Sequence, residues 1–139
     1  MRVRDLMTEA PLTAPRSMPV LDARRLMDDK RIRHLLVVEH GTLVGIVTDR
    51  DIRLNMPSPA TSLSVWELNH LLARLTVGEV MTASVIVVEP DRDARAAAAL
   101  LVEEKIGALP VVDGERLVGI VTDTDVLRAF VRSEALAAG

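Results

Sequence analysis

One short string of hydroxyl and carboxylate residues occurs twice in this 139-residue chain, as Thr48-Asp49-Arg50-Asp51 and as Thr122-Asp123-Thr124-Asp125. An ionised carboxylate only accepts hydrogen bonds, whereas a threonine hydroxyl both donates and accepts. At this spacing the Thr caps the start of a helix and the acid three residues on returns the bond, which is a capping box. The paired acids are also able to hold Mg2+ alongside bound phosphates, but they do not make a dedicated metal cage. Other chemistry is missing from the pattern. There is no cysteine, which excludes disulfides, thiolate metal sites and a cysteine nucleophile. There is no Gly-x-Ser-x-Gly elbow, no Walker loop, no Gly-x-Gly-x-x-Gly and no His-rich metal spacing. His40 in a turn and His70 on a polar helix face receive no function. The chain is read as a non-enzyme.

The two strings belong to a longer repeat. Val44-Gly45-Ile46-Val47-Thr48-Asp49 returns as Val118-Gly119-Ile120-Val121-Thr122-Asp123, 74 positions later. Residues 3–53 lie on residues 77–127 without a gap, and 17 of those 51 positions are identical. A constant offset over that length marks an internal duplication. The expected division is a first repeat over residues 1–55, a connector with a helix over 56–76, and a second repeat with a C-terminal helix over 77–139.

Each copy reads as βαββα. A Met-Thr pair (Met7-Thr8, Met81-Thr82) precedes an extended run, Pro11 to Ala14 in copy one. The β-branched Val85-Ile86-Val87-Val88 in copy two fits a strand. A helix follows, from about Met18 to Lys30 and from about Asp93 to Lys105. Ser17 and either Asp91 or Asp93 are the expected N-caps, with Pro19 in the first turn. Ala23, Leu26 and Met27 share one helix face, as do Ala97, Leu100 and Leu101. The strand Leu35–Val38, a turn at His40-Gly41 (Gly114-Glu115 in copy two) and the strand Leu43–Val47 come next. Gly45 in that strand marks a close backbone approach. A second helix starts after Thr48 or Thr122. The fold class is α/β, two such units packed about a pseudo-twofold axis with clefts between the copies. One copy of about 50 residues is marginal alone.

In the connector, Met56-Pro57-Ser58-Pro59 breaks regular structure. Ser64 to Glu67 is a further capping box. Val65, Leu68, Leu72 and Leu75 form a stripe with Leu71 beside it, so a helix docked on the module is expected. Trp66, off that stripe, is expected to pack within the chain.

Composition narrows the class. With 49% hydrophobic and 27% charged residues the chain is globular rather than disordered. Trp66 and Phe130 are the only aromatics, so Val, Leu, Ile, Ala and Met must build the core. A net charge of −3 gives no concentrated basic surface for nucleic acid. No apolar run approaches the ~18 residues that span a bilayer, and no signal peptide is evident. A cytoplasmic protein without nucleic-acid or membrane partners is expected.

Three patterns, in order and twice over, resemble the cystathionine β-synthase (CBS) domain family. They are Val3-Arg4-Asp5-Leu6-Met7-Thr8 and Val77-Gly78-Glu79-Val80-Met81-Thr82; then Ile32-Arg33-His34-Leu35-Leu36-Val37-Val38 and Ile106-Gly107-Ala108-Leu109-Pro110-Val111-Val112; then the Val44 and Val118 strings, running on to Ile52 and Val126. Leu36 departs from the proline that the family often has, which Pro110 keeps. Two such units form a Bateman module.

The resemblance implies binding of adenosine-containing ligands, AMP, ADP, ATP or S-adenosylmethionine, and a homodimer that regulates a partner protein. It requires no cofactor, with Mg2+ only as a companion of the nucleotide. It assigns the ribose hydroxyls to Asp51 and Asp125, whose carboxylates can accept from both. Thr48 and Thr122 would donate to phosphate, at a turn whose free N–H groups favour anions. Arg50 would add a charged contact that Thr124 lacks, making the two sites unequal. Asp49 and Asp123 complete the strings. Ile46 and Ile120, with Thr8, Thr13, Thr82 and Val87, would line a purine slot, and His34 and Ala108 take matching places beside it. The alternative is a structural dimerisation module with vestigial clefts.

Overall fold

A hairpin turn needs residues that tolerate positive φ, and the chain supplies them at His40 (φ 50°), Gly41 (φ 79°) and Gly114 (φ 64°). Around these turns two hairpins form in a computed structural model that describes residues 1–58 and 62–138, with side chains described as far as residue 133. The elements in chain order are α1 (Val3–Leu6), β1 (Thr8–Glu9), β2 (Thr13–Ala14), α2 (Val20–Lys30), β3 (His34–Glu39), β4 (Thr42–Thr48), α3 (Asp49–Leu54), α4 (Val65–Arg74), α5 (Val77–Val80), α6 (Ala94–Glu103), β5 (Ala108–Asp113), β6 (Arg116–Thr122) and α7 (Asp123–Ala138). They make a mixed α/β chain with two three-stranded sheets, ordered β1-β6-β5 and β2-β3-β4.

The chain divides into two units that are not the two sequence repeats. One holds Met1–Pro11 with Val85–Gly139, the other Leu12–Ser84. The repeats exchange their leading segments. In the first unit α1 is held by the Val3 N–H on the Arg92 carbonyl at 2.8 Å and the Arg4 N–H on the Pro90 carbonyl at 2.9 Å. In the second unit α5 makes the equivalent bonds, Val77 to Met18 at 2.8 Å and Gly78 to Arg16 at 3.0 Å. Val3 and Val77 are fully buried in their respective cores.

Each core is aliphatic. In the second unit Val20, Ala23 and Met27, one face of α2, close over Leu35, Val37 and Val47, with Ile52 and Val77. In the first unit Ala97 and Leu101 close over Leu109, Val111 and Val121, with Val3 and Val88. Both hairpins carry the same register shift, after Val37 and after Val111. The close approach at Gly45 is real. A Cβ there would lie 2.5 Å from Met81 Sδ and 2.9 Å from the Thr82 carbonyl, and at Gly119 the same neighbours are Met7 Sδ at 2.7 Å and the Thr8 carbonyl at 2.9 Å.

Several local expectations need correcting. Val85–Val88 is not a strand; Val88 alone pairs, as an isolated parallel bridge to Val111 on the outer edge of β5, with its N–H on the Pro110 carbonyl at 3.0 Å and its carbonyl accepting from the Val112 N–H at 2.9 Å. Helix α2 begins at Val20, not Met18, and its N-cap is Pro19 rather than Ser17. Proline's fixed φ, here −60°, ends the preceding turn. Asp93 caps α6, while Asp91 pairs with Arg4. Helix α4 starts at the expected Ser64–Glu67 capping box and packs on α2, with Leu68, Leu72 and Leu75 of the expected stripe half-buried. Val65 and Leu71 are exposed, and Trp66 is 72% exposed, stacked on His70 with ring centroids 5.4 Å apart. One helical turn of separation lets the ring pair shelter itself on the helix surface. Pro59 lies outside the described residues. Among the described residues no helix is long and apolar enough to cross a membrane.

Candidate functional site

Strand β4 gives way to α3 at Thr48, and the capping box sets the junction. Thr48 is extended (φ −113°, ψ 162°). Its Oγ1 accepts from the Asp51 N–H at 3.0 Å, and Asp51 Oδ2 accepts from the Thr48 N–H at 2.9 Å. Only one carboxylate oxygen is used. Among the described residues no hydrogen bond reaches Asp51 Oδ1, and the side chain is half-buried. An acceptor held in place by its own helix, with its second oxygen open, is suited to a ligand hydroxyl.

The other unit repeats the junction with more internal bonding. Asp125 Oδ2 accepts from the Thr122 N–H at 2.8 Å and from the Thr122 hydroxyl at 3.1 Å. The Asp125 N–H donates to Thr122 Oγ1 at 3.4 Å. Asp125 Oδ1 lies 3.8 Å from the Arg128 guanidinium, and the carboxylate side chain is 10% exposed. Among the described residues the Thr48 hydroxyl donates to no acceptor, whereas Thr122 directs its own at Asp125.

Strand register sorts the remaining residues. In the second unit Thr13 stands opposite Leu36, Leu36 opposite Ile46, and Ile46 opposite Thr82. His34 stands opposite Thr48. Thr13, His34, Ile46, Thr48, Asp51 and Thr82 are therefore brought to one end of one sheet. In the first unit Thr8 stands opposite Ile120, and Ala108 opposite Thr122. Val87 is exposed, next to the bridging Val88. The exchange of leading segments decides this grouping: Thr82 of the second repeat joins Thr48 and Asp51, and Thr8 of the first repeat joins Thr122 and Asp125. Nothing in the local sequence marks it, since each Met-Thr pair fits either sheet.

The middle residues of the two strings behave differently from the ends. Asp49 lines a separate cavity with Arg33 and Arg53. Arg50 is exposed. Asp123 Oδ1 accepts from the Thr124 N–H at 2.8 Å, and Thr124 is exposed. No group of three or more metal-ligating side chains occurs among the described residues.

Residues 3–58 and 77–132 match the CBS domain family. The chain is 31% identical to the CBS domain-containing protein YhcV of Bacillus subtilis, over 89% of this chain and 81% of that protein. It is 33% identical to the L-aspartate semialdehyde sulfurtransferase of Methanocaldococcus jannaschii over 92% of its own length, but spans only 23% of that enzyme. The structure superposes on the CBS domain pair of protein MJ0100 in complex with 5′-methylthioadenosine and S-adenosyl-L-methionine with a TM-score of 0.79, at 30% identity over 96% of this chain and 98% of that one. It superposes on CBSX2 in complex with AMP with a TM-score of 0.77, at 34% identity over 96% and 98%; CBSX2 is a protein of Arabidopsis thaliana. With both repeats matched by the family model, the chain belongs to the CBS domain family.

Proposed function

We propose that this chain is a regulatory sensor of adenosine-containing ligands. AMP, ADP, ATP or S-adenosylmethionine binds at Thr48–Asp51 and Thr122–Asp125, with Mg2+ accompanying the phosphates where the ligand carries several. One observation carries the reading: Asp51 uses a single oxygen to cap its helix and presents the other unbonded. The adenosine compounds held by the MJ0100 pair and by CBSX2 support the ligand class. The two sites are unequal. Asp51 has an open oxygen, a free threonine hydroxyl, His34 opposite that threonine and Arg50 beside it, whereas Asp125 is more covered and faces Arg128.

Ligand binding acts on a partner protein or on a homodimer, and shifts the module only as far as its affinity differs between two states. Such a sensor works in the cytoplasm, where these ligands circulate. Calorimetry with AMP, ADP, ATP and S-adenosylmethionine tests the reading on the wild type and on Asp51→Ala with Asp125→Ala. Binding that disappears in the double variant supports it. A wild type that binds none of the four, or a double variant that binds unchanged, overturns it and leaves the structural reading. That second reading is favoured by one fact: both aspartates already have a bonding role in their own capping boxes.

A further inference from the structure

The second unit carries a cavity of about 390 Å³ between α2 and α3, away from the Asp51 carboxylate. Its floor is apolar, made by Met27, Ile32 and Ile52. Arg24, Arg31, Arg33 and Arg53, all exposed, line it as well. Asp28 and Asp49 also line it, yet none of the four arginines forms an ion pair among the described residues. Four positive charges against two negative leave the mouth with an excess of positive charge over an apolar base.

The duplication provides an internal control. The backbone frame of this groove is the same in both units. Arg31 and Lys105 both have φ 55°. The Ile32 N–H reaches the Met27 carbonyl at 3.0 Å and the Ile106 N–H reaches Leu101 at 3.1 Å. Asp49 N–H to Arg33 and Asp123 N–H to Gly107 are both 3.0 Å. The apolar floor is kept as well, by Leu101, Ile106 and Val126. The rim differs: Arg24, Arg33 and Arg53 are replaced by Ala98, Gly107 and Leu127, and one of the two acids, Asp28, by Val102. The frame therefore stands without the arginines, and their mutual repulsion has no structural need behind it.

We propose that this groove is a second binding site, separate from the adenosine sites, for a small phosphate-bearing molecule. Guanidinium forks match phosphate oxygens in pairs. A cavity of this size with an apolar floor accepts a compact organic body beneath the charged group. The phosphate comes either from an organic ester or from an inorganic anion, and the two differ in whether the floor contributes.

The test uses the full chain, with phenyl phosphate and inorganic pyrophosphate as probes in calorimetry. Phenyl phosphate is expected to bind the wild type, more weakly as salt rises. Substituting Arg24→Ala, Arg33→Gly and Arg53→Leu together, the residues the other unit carries, is expected to weaken binding about ten-fold or more. AMP binding is expected to stay within a factor of about two in that variant, and Asp51→Asn is expected to leave phenyl phosphate binding unchanged. Tighter binding of phenyl phosphate than of pyrophosphate assigns the site to an organic ester; equal binding assigns it to the inorganic anion. Arg53→Leu alone provides the same readout if the triple variant fails to fold. A wild type that binds neither probe at millimolar concentration overturns the proposal, as does an arginine variant that binds within two-fold of wild type.

Discussion

Asp51 has two tasks that one substitution separates. Asp51→Asn keeps a side-chain oxygen able to accept the Thr48 N–H, the bond now made at 2.9 Å, but removes the charge and replaces the open acceptor by an NH2 donor. The capping bond then survives without charge assistance, and stability falls by about 0.5–1 kcal/mol. For a chain of this size that is a drop of roughly 2–4 °C in unfolding temperature. Adenosine binding loses far more. A hydrogen bond to a charged acceptor contributes about 1.5–3 kcal/mol, so affinity at this site falls about 10- to 150-fold. Calorimetric titration with AMP in the Asp125→Asn background isolates the Asp51 site, and thermal unfolding of the same variants measures the cap. If Asp51→Asn binds AMP within two-fold of its background, the carboxylate is a helix cap only and the ribose role is refuted.

Gly45→Ala drives a Cβ to 2.9 Å from the Thr82 carbonyl; backbone cannot yield there, and denaturant unfolding is expected to show a loss of about 1–3 kcal/mol. Leu109→Ala removes a fully buried side chain and should cost about 2–5 kcal/mol, read in the same assay. Lys105→Gly relieves a left-handed residue (φ 55°) and is expected to raise the unfolding temperature, by up to about 1 kcal/mol of stability once the added chain entropy is offset; a lowered midpoint would contradict the strain. Trp66 is the only tryptophan, so intrinsic fluorescence should already be water-like in the folded protein and change little in emission wavelength on unfolding; a blue emission in the native state would contradict its exposure.

Much of this protein is legible in its sequence because local physics decides it. The repeat, the hairpin turns at His40-Gly41 and Gly114-Glu115, and the helix starts at Thr48, Ser64, Thr122 and Asp93 depend on neighbours within a few residues. Gly45 was marked by being the one small residue in a β-branched run. Where a local signal met a longer-range competitor, the competitor prevailed. Val85–Val88 has the composition of a strand, yet only Val88 reaches the open edge of β5 to pair with it. The apolar stripe of α4 predicts a docked helix, and Leu68, Leu72 and Leu75 are half-buried, but Val65 at its start, Leu71 beside it and Trp66 off it stay exposed.

The sequence by itself determined that there are two equivalent junctions, each a threonine and an aspartate fixed by a capping box. Only the tertiary structure decided which distant residues join each junction: Thr82 with Asp51, and Thr8 with Asp125. The reason is symmetry. The two Met-Thr segments are near copies and the two acceptor strands are near copies, and the residues that differ between them act only across the assembled units, Arg4 on Asp91 and Gly78 close against Arg16. Local pattern within either segment does not show those distant partners, so the choice falls to how the whole chain folds.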